Sequence, residues 1–154
     1  MVATRFDSWL ILVFISRIAL YANFMVYAAC LPILLNKWDM SATQAGSISS
    51  AFMFGYAASL FVFAWLSDHF GAKRLFLLSA VLSASSALIF GFFAHSYLSG
   101  LILYAIAATT QGGLYTPAIM LFSERYDTSR RGAAIGYLIA STSVGYAFSL
   151  VVSG

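Results

Sequence analysis

The sequence is poor in charged residues and nearly free of cysteine. Asp, Glu, Lys and Arg make up 8% of its 154 residues, whereas a soluble domain has roughly 25%. Hydrophobic residues account for 62%, so the composition excludes a soluble globular protein. The single cysteine, Cys30, cannot form an internal disulfide and is expected to be a small packing residue.

Charges are so sparse that they divide the chain into long uncharged intervals, and one membrane span needs about 20 residues. The intervals of about this length or more are 18–36, 40–67, 75–123 and 132–154. The third has room for two spans, with a turn at 95–100. The chain is therefore predicted to be an all-α, polytopic transmembrane helix bundle. Its helices are expected at about 9–35, 44–67, 75–94, 97–122 and 132–154.

Most basic residues fall on one side of the predicted helices. Arg5 precedes the first helix. The links after the second and fourth helices carry Lys73, Arg74, Arg125, Arg130 and Arg131. Under the positive-inside rule the N-terminus is cytoplasmic. We expect a multi-pass protein of a plasma membrane or bacterial inner membrane, surrounded by lipid, and the net charge of +3 does not indicate a nucleic-acid partner.

The first predicted helix carries polar side chains at membrane depth, namely Arg17, Tyr21, Asn23 and Tyr27. At about 100° per residue, Asn23 and Tyr27 share one stripe, while Arg17 and Tyr21 form a second stripe. A central arginine costs roughly 2.5 to 3.5 kcal/mol on insertion scales. Arg17 is therefore expected either to snorkel to the cytoplasmic surface or pair structurally, or to face a ligand in a wet cavity.

The fourth predicted helix places Tyr104, Gln111 and Tyr115 along one face. Pro117 removes the helical donor of the Gly113 carbonyl, so a kink is expected there. A polar face beside a kink predicts a cavity wall, and the alternative is that Gln111 only hydrogen-bonds a neighbouring helix. The third predicted helix has no ionisable group and is expected to be a supporting, lipid-facing helix.

The second and fifth predicted helices repeat one pattern. After Gly46 come eight residues and then Gly55-Tyr-Ala-Ala-Ser-Leu60, and after Gly136 come eight residues and then Gly145-Tyr-Ala-Phe-Ser-Leu150. The offset of ninety positions spans three helices, so the copies run in opposite directions, as in the inverted repeats of secondary transporters. All four glycines are expected at helix contacts, because small residues let two backbones approach closely.

Residues 64–74 read Ala-Trp-Leu-Ser-Asp-His-Phe-Gly-Ala-Lys-Arg. This stretch resembles the loop between helices two and three of the major facilitator superfamily, whose signature is a glycine, three residues, Asp-Arg-x-Gly and two basic residues. The matching positions are Asp68, Gly71 and Lys73, with Arg74 as a further basic residue. The departures are Ala64, His69 and Ala72.

The resemblance covers essentially the whole chain and implies a fold of twelve helices in two six-helix halves. Residues 1–154 would form a partial N-terminal half with five of the twelve helices, and the missing C-terminal half would be its partner.

In the family, charge contacts latch the cytoplasmic side shut and break as the halves rock. A second charged loop is predicted at 124–131, and Asp68 can pair with its basic residues Arg125 or Arg131. The residues expected to form the latch are Asp68, Gly71, Lys73, Arg74, Glu124, Arg125 and Arg131. The alternative is that the loop is a topology anchor alone.

Two absences narrow the function. No Asp or Glu lies inside the predicted helices, so any carboxylate for proton coupling lies elsewhere. Ser149-Leu150 stands where drug:proton antiporters of the family have Gly-Pro, which disfavours drug export. The hypothesis is a transporter of a small organic anion by alternating access, with Arg17 as the only cation inside the membrane. The residues expected to line its cavity are Arg17, Tyr21, Asn23, Tyr27, Gln111 and Tyr115.

The competing hypothesis is a truncated, non-transporting membrane protein or a helix-packing interaction module. An enzyme is not expected, because the sequence shows no Ser-His-Asp or Cys-His set, no metal-ligand cluster and no phosphate-cradling glycine loop. Neither a cofactor nor a metal is predicted.

Overall fold

The computed structural model describes the backbone of residues 8–153 and the side chains of residues 8–21 and 25–152. Every element in this part of the chain is an α-helix, which confirms the all-α prediction. The helices are α1 (Ser8–Lys37), α2 (Ala42–Phe70), α3 (Ala72–Phe93), α4 (Tyr97–Arg125) and α5 (Thr128–Ser153).

The links between the helices are shorter than the sequence predicts. Only Gly71 separates α2 from α3, and only Tyr126 and Asp127 separate α4 from α5, so the predicted loop 124–131 is wrong in extent. The reason is helix length: α2 and α4 have 29 residues each. At 1.5 Å per residue that is about 44 Å, against a hydrocarbon core of about 30 Å. The charged residues at the ends of α2 and α4 are therefore still helical, because these helices extend past the hydrocarbon core.

Gly71 makes the one-residue turn between α2 and α3. Its φ is 86°, a conformation that glycine adopts without the strain a Cβ would bring. Its backbone N–H donates to the carbonyl of Ser67 at 3.0 Å, which ends α2 in a hydrogen bond. At the other end of α2, Ser41 and Gln44 form a reciprocal capping box that fixes where the helix begins.

α4 is the central helix of the described bundle. It packs along α2 on one side and α3 on the other, while α1 packs along α5. Its inner face is buried at Ala108, Leu114 and Ala118. Small residues on that face bring the neighbours very close: a Cβ at Gly112 would overlap Ser59 of α2. The small residues of α4 therefore allow α2 and α3 to pack closely against it.

Four of the five helices in the described part are long and apolar enough to cross a membrane: α1, α2, α3 and α5. α4 is as long as α2 but less apolar, because the polar and small run 109–113 interrupts it. Thr110 and Gln111 in this run are buried inside the bundle. The prediction that α4 also spans the membrane therefore rests on its length and packing rather than on its composition.

The ninety-residue repeat extends to the contacts between helices. A Cβ added at Gly55 of α2 would lie 3.2 Å from the carbonyl oxygen of Ala105 and 3.4 Å from Cβ of Ala108, both in α4. A Cβ at Gly145 of α5 would lie 2.9 Å from the carbonyl oxygen of Ile18 in α1. Ile18 and Ala108 are themselves ninety positions apart. The α2–α4 and α1–α5 contacts are thus two copies of one helix crossing.

All four glycines of the repeat were expected at helix contacts, but in the described part of the chain Gly46 and Gly136 are not. A Cβ at either position would meet nothing within 4 Å, so neither lies at a helix contact among the described residues. The helices approach closely only near their crossing points at Gly55 and Gly145, and Gly46 and Gly136 lie more than two turns away along α2 and α5. A stripe of small residues identifies a face of a helix but not the position of its crossing point.

Replacement of Gly145 by alanine is expected to destabilise the bundle by about 1 to 2 kcal/mol. The added Cβ would press against the backbone of α1, which cannot rotate away as a side chain can, and this overpacking outweighs the gain in helix propensity. Unfolding of the purified protein in detergent measures the difference.

Gly136→Ala is the matched control on the same helix. It adds the same methyl group in open space and is expected to leave stability unchanged or to raise it by up to about 1 kcal/mol. Equal effects of the two substitutions would show that Gly145 is not at a close helix crossing.

Candidate functional site

Arg17 lies at the junction of three helices, with none of its surface exposed. Its Nε donates to Ser141 Oγ at 3.2 Å and its Nη2 to Thr142 Oγ1 at 3.0 Å, both on α5. Its Nη1 donates to the carbonyl oxygen of Leu114 on α4. Of the outcomes expected for Arg17, the structure shows structural pairing and not snorkelling: the guanidinium points into the bundle, because hydroxyl and carbonyl acceptors there replace water.

The acceptor on α4 lies next to a proline defect. Pro117 cannot donate to the carbonyl of Gly113, and the Arg17 bond goes to the neighbouring carbonyl of Leu114. Leu114 and Pro117 are fully buried, whereas Tyr115 and Thr116 between them are partly exposed. Arg17 thus joins α1 to the irregular turn of α4 as well as to α5.

Four tyrosines lie together beside Arg17 and Tyr21, one from each of α1, α2, α4 and α5: Tyr21 itself, Tyr56, Tyr115 and Tyr146. We call them the tyrosine layer. The ring of Tyr21 lies 4.7 Å from the guanidinium carbon of Arg17 and 6.0 Å from the ring of Tyr146. The phenol groups of the other three lie close enough to that of Tyr21 to interact electrostatically. Tyr21 is fully buried and the other three are half-buried, so they separate Arg17 and Tyr21 from the outside.

The structure divides the predicted cavity residues into two groups. Arg17, Tyr21 and Tyr115 belong to the cluster just described. Tyr27 and Gln111 instead line a separate cavity of about 270 Å³ between α1, α3 and α4. The side chain of Asn23 lies outside the described residues.

Gln111 bonds neighbouring helices. Its Nε2 donates to Ser83 Oγ of α3 at 3.1 Å and to the carbonyl of Leu20 in α1 at 3.5 Å. Tyr27 similarly donates from its hydroxyl to the carbonyl of Ala45 at 3.0 Å. α3 buries Ser83 against α4 and exposes large apolar side chains such as Val81 and Phe92 on its other face, as expected for a supporting helix with a lipid-facing side.

The charged residues at the α2–α3 turn lie beside the end of α4. Asp68, Lys73, Arg74 and Glu124 line one open depression. The two arginines expected to face Asp68 contact other groups. The guanidinium of Arg125 lies 4.6 Å from the Trp9 ring. Arg131 donates from Nε to the carbonyl of Tyr126 at 3.4 Å. The structure therefore brings two acidic residues beside Lys73 and Arg74 of α3, namely Asp68 of α2 and Glu124 of α4.

Several site residues were not found from the sequence, namely Ser83, Ser141, Thr142, Tyr56 and Tyr146. Signals for some of them were present. Ser141 and Thr142 belong to a polar Ser-Thr-Ser run inside an apolar helix, and the two tyrosines follow the repeat glycines directly. Which of these side chains meet Arg17 depends on how α5 is placed against α1, and no spacing within one helix specifies that.

Comparison with known proteins gives one family match. The model of the family described as Major Facilitator Superfamily matches residues 13–154. No solved structure matches the chain.

The chain is also similar to transporters of bacteria. It is 27% identical over 105 residues to a probable sulfoacetate transporter of Cupriavidus necator, covering 68% of this chain and 24% of the relative. It is 25% identical over 131 residues to a probable 4-methylmuconolactone transporter of Cupriavidus pinatubonensis, covering 85% and 30%. It is 27% identical over 149 residues to a hexuronate transporter of Bacillus subtilis, covering 94% and 34%. The chain thus spans about a quarter to a third of the length of these relatives.

The bond between Gln111 and Ser83 is expected to couple α4 to α3. In a double-mutant cycle of Gln111→Met and Ser83→Ala, the coupling energy should be about 0.6 to 1.7 kcal/mol, the range measured for hydrogen bonds between membrane helices. Unfolding of the single and double variants in detergent gives this value.

Ser79→Ala is the control, because Ser79 is equally buried one turn earlier on α3 and its hydroxyl has no hydrogen-bond partner among the described residues. The change in unfolding free energy caused by Ser79→Ala should add to that caused by Gln111→Met within about 0.5 kcal/mol. A coupling energy near zero for Ser83 as well would contradict a role for this bond in holding α3.

Proposed function

Because the chain belongs to the major facilitator superfamily, we propose that it forms part of a secondary transporter that moves a small organic anion across the membrane by alternating access. The observation that carries this proposal is the buried, hydrogen-bonded cation Arg17. The relatives named above are transporters and not enzymes.

A buried arginine supports an anionic substrate through charge balance. The partners of Arg17 are two hydroxyls and a carbonyl, which accept hydrogen bonds but carry no full charge. The acidic residues of the described helices, Asp68 and Glu124, lie near helix ends. A cation at membrane depth without a counter-ion is costly and is characteristic of ligand and ion pathways. A carboxylate or sulfonate would supply the missing negative charge.

The relatives agree with this substrate class. The names sulfoacetate and hexuronate denote small organic anions, and the matches to these two relatives cover 68% and 94% of this chain. The tyrosine layer fits such a substrate, since its hydroxyls can donate to carboxylate and hydroxyl oxygens. Tyr21 covers the guanidinium in this conformation, so an anion reaches Arg17 only after the Tyr21 ring moves.

Alternating access would use the repeated helix crossings. α2 is fixed to α4 near Gly55 and α5 to α1 near Gly145. Helices joined in this way can move as one body against the other half of the transporter. The charged depression of Asp68, Lys73, Arg74 and Glu124 would then act as one side of a latch. Its partner surface would belong to the remaining part of a protein of which this chain corresponds to about a quarter to a third.

We further propose that the chain lies in a plasma membrane or bacterial inner membrane with its N-terminus in the cytoplasm. The positive-inside rule supports this orientation, because Lys73 and Arg74 lie at the α2–α3 turn and Arg130 and Arg131 begin α5. With the N-terminus in the cytoplasm, both pairs of basic residues face the inner leaflet.

Replacement of Arg17 by glutamine is expected to weaken the apparent affinity for the anion about tenfold to a hundredfold, since hydrogen bonds to a charged group contribute about 1.5 to 3 kcal/mol. Arg17→Lys keeps the charge but loses the planar fork, so the loss should be smaller. Uptake of radiolabelled sulfoacetate and glucuronate by the complete transporter in proteoliposomes measures the affinity.

The control is Arg130→Gln, which removes the same charge at an exposed position near the start of α5 and should leave affinity unchanged. Folding of each variant is checked by its melting temperature in detergent. A folded Arg17→Gln protein with the affinity and charge preference of the wild type would overturn the proposal.

A further inference from the structure

We propose that Ser141 and Thr142 of α5 are positioning residues that orient Arg17, so that one N–H of each terminal guanidinium nitrogen is presented to two oxygens of a carboxylate or sulfonate. This inference rests on the proposed function, because it concerns the same anion site. It adds two side chains that do not touch the substrate themselves and act through Arg17.

The hydrogen-bond inventory of Arg17 leads to this proposal. A guanidinium has five N–H donors. Three are used within the described part of the chain: the one on Nε by Ser141, one on Nη2 by Thr142 and one on Nη1 by Leu114. Among the described side chains, none accepts from the second N–H of either terminal nitrogen. A pair of N–H groups on the two terminal nitrogens can bind a carboxylate through both oxygens at once.

Ser141 is fixed as an acceptor for Arg17. Its own hydroxyl donates to the carbonyl of Leu138 at 2.6 Å, so its proton points along α5 and its free lone pairs face the arginine. It is also fully buried. A hydroxyl that has already committed its only proton cannot donate to an anion. Ser141 therefore acts on a substrate only by holding Nε of Arg17.

Thr142 holds the neighbouring nitrogen on the same edge of the guanidinium. Its side chain is β-branched and has few rotamers, which makes its Oγ1 a stable acceptor for Nη2. Gly145 lies one turn beyond Ser141 on the same face of α5 and allows the backbone of α5 to approach that of α1. This close approach brings both hydroxyls within reach of Arg17.

The other copy of the repeat shows that the helix crossing does not need these polar contacts. The ninety-residue offset maps Arg17 to Ala107, Ser141 to Ala51 and Thr142 to Phe52. The α2–α4 crossing is thus built at the equivalent positions from two alanines and a phenylalanine. Since the same crossing forms without an arginine and its acceptors, their presence in the α1–α5 crossing serves the anion site rather than helix packing.

The test measures binding of sulfoacetate and glucuronate to the complete purified transporter by thermal-shift titration. Thr142→Val keeps the shape of the side chain and removes the acceptor, and Ser141→Ala removes the other acceptor. Each is expected to weaken binding about fivefold to tenfold, whereas Thr142→Ser should restore it to within about twofold. The control is Ser149→Ala, which removes a buried hydroxyl of α5 that has no partner among the described residues, and it should bind within about twofold of the wild type.

A second readout does not depend on any ligand. Phenylglyoxal modifies accessible guanidinium groups, and mass spectrometry quantifies the product at Arg17. Thr142→Val and Ser141→Ala are expected to raise the modification rate of Arg17 several-fold over that of Ser149→Ala, because the freed side chain becomes mobile.

The outcomes separate this inference from the proposed function. If the wild type binds an anion and Thr142→Val and Ser141→Ala bind it equally well, the positioning role is overturned and the proposed function stands. If neither sulfoacetate nor glucuronate binds the wild type, the proposed function is overturned for these two anions. The modification rates then decide the positioning role alone, and rates equal to that of Ser149→Ala would overturn it.

Discussion

The burial of one cation is the constraint on which the polar interior of this bundle depends. Arg17 has no exposed surface, and an arginine inside a membrane protein remains there only if its donors are satisfied. Two helices, α4 and α5, meet this demand with acceptors from Leu114, Ser141 and Thr142. The tyrosine layer covers the group on the remaining side. Arg17 thus joins α1 to polar groups of both α4 and α5.

An approximate inverted symmetry forms the frame for this site. The crossings at Gly55 and Gly145 are related by the same ninety-residue offset as two residues that they approach, Ala108 and Ile18. The frame is symmetric but its polar content is not, because the arginine and its acceptors occur in one copy only. In the proposed transporter, this division would combine a frame that repacks between two similar states with a site that recognises one substrate.

α4 shows how the interior of a membrane protein can be less apolar than its surface. Its buried run 110–113 would be expensive against lipid. Between α2 and α3 the same residues are hydrogen-bonded or allow close backbone contact, as Gln111 does with Ser83 and Gly112 with Ser59. A hydropathy argument judges each helix as if it faced lipid all round, and it therefore fails for the helix that the others enclose.

The sequence by itself determined the helical class, the family, the number of helices and the repeat, because apolar runs, charge positions and glycine spacing are properties of the chain read along one dimension. It also indicated that Arg17 matters, since a charge among apolar residues is conspicuous. Only the tertiary structure decided what Arg17 meets, that Gln111 bonds α3 and α1 rather than joining the cluster, and that Glu124 lies beside Lys73 and Arg74. These outcomes depend on the depth and rotation of one helix against another, which packing across several helices sets and which no single helix encodes.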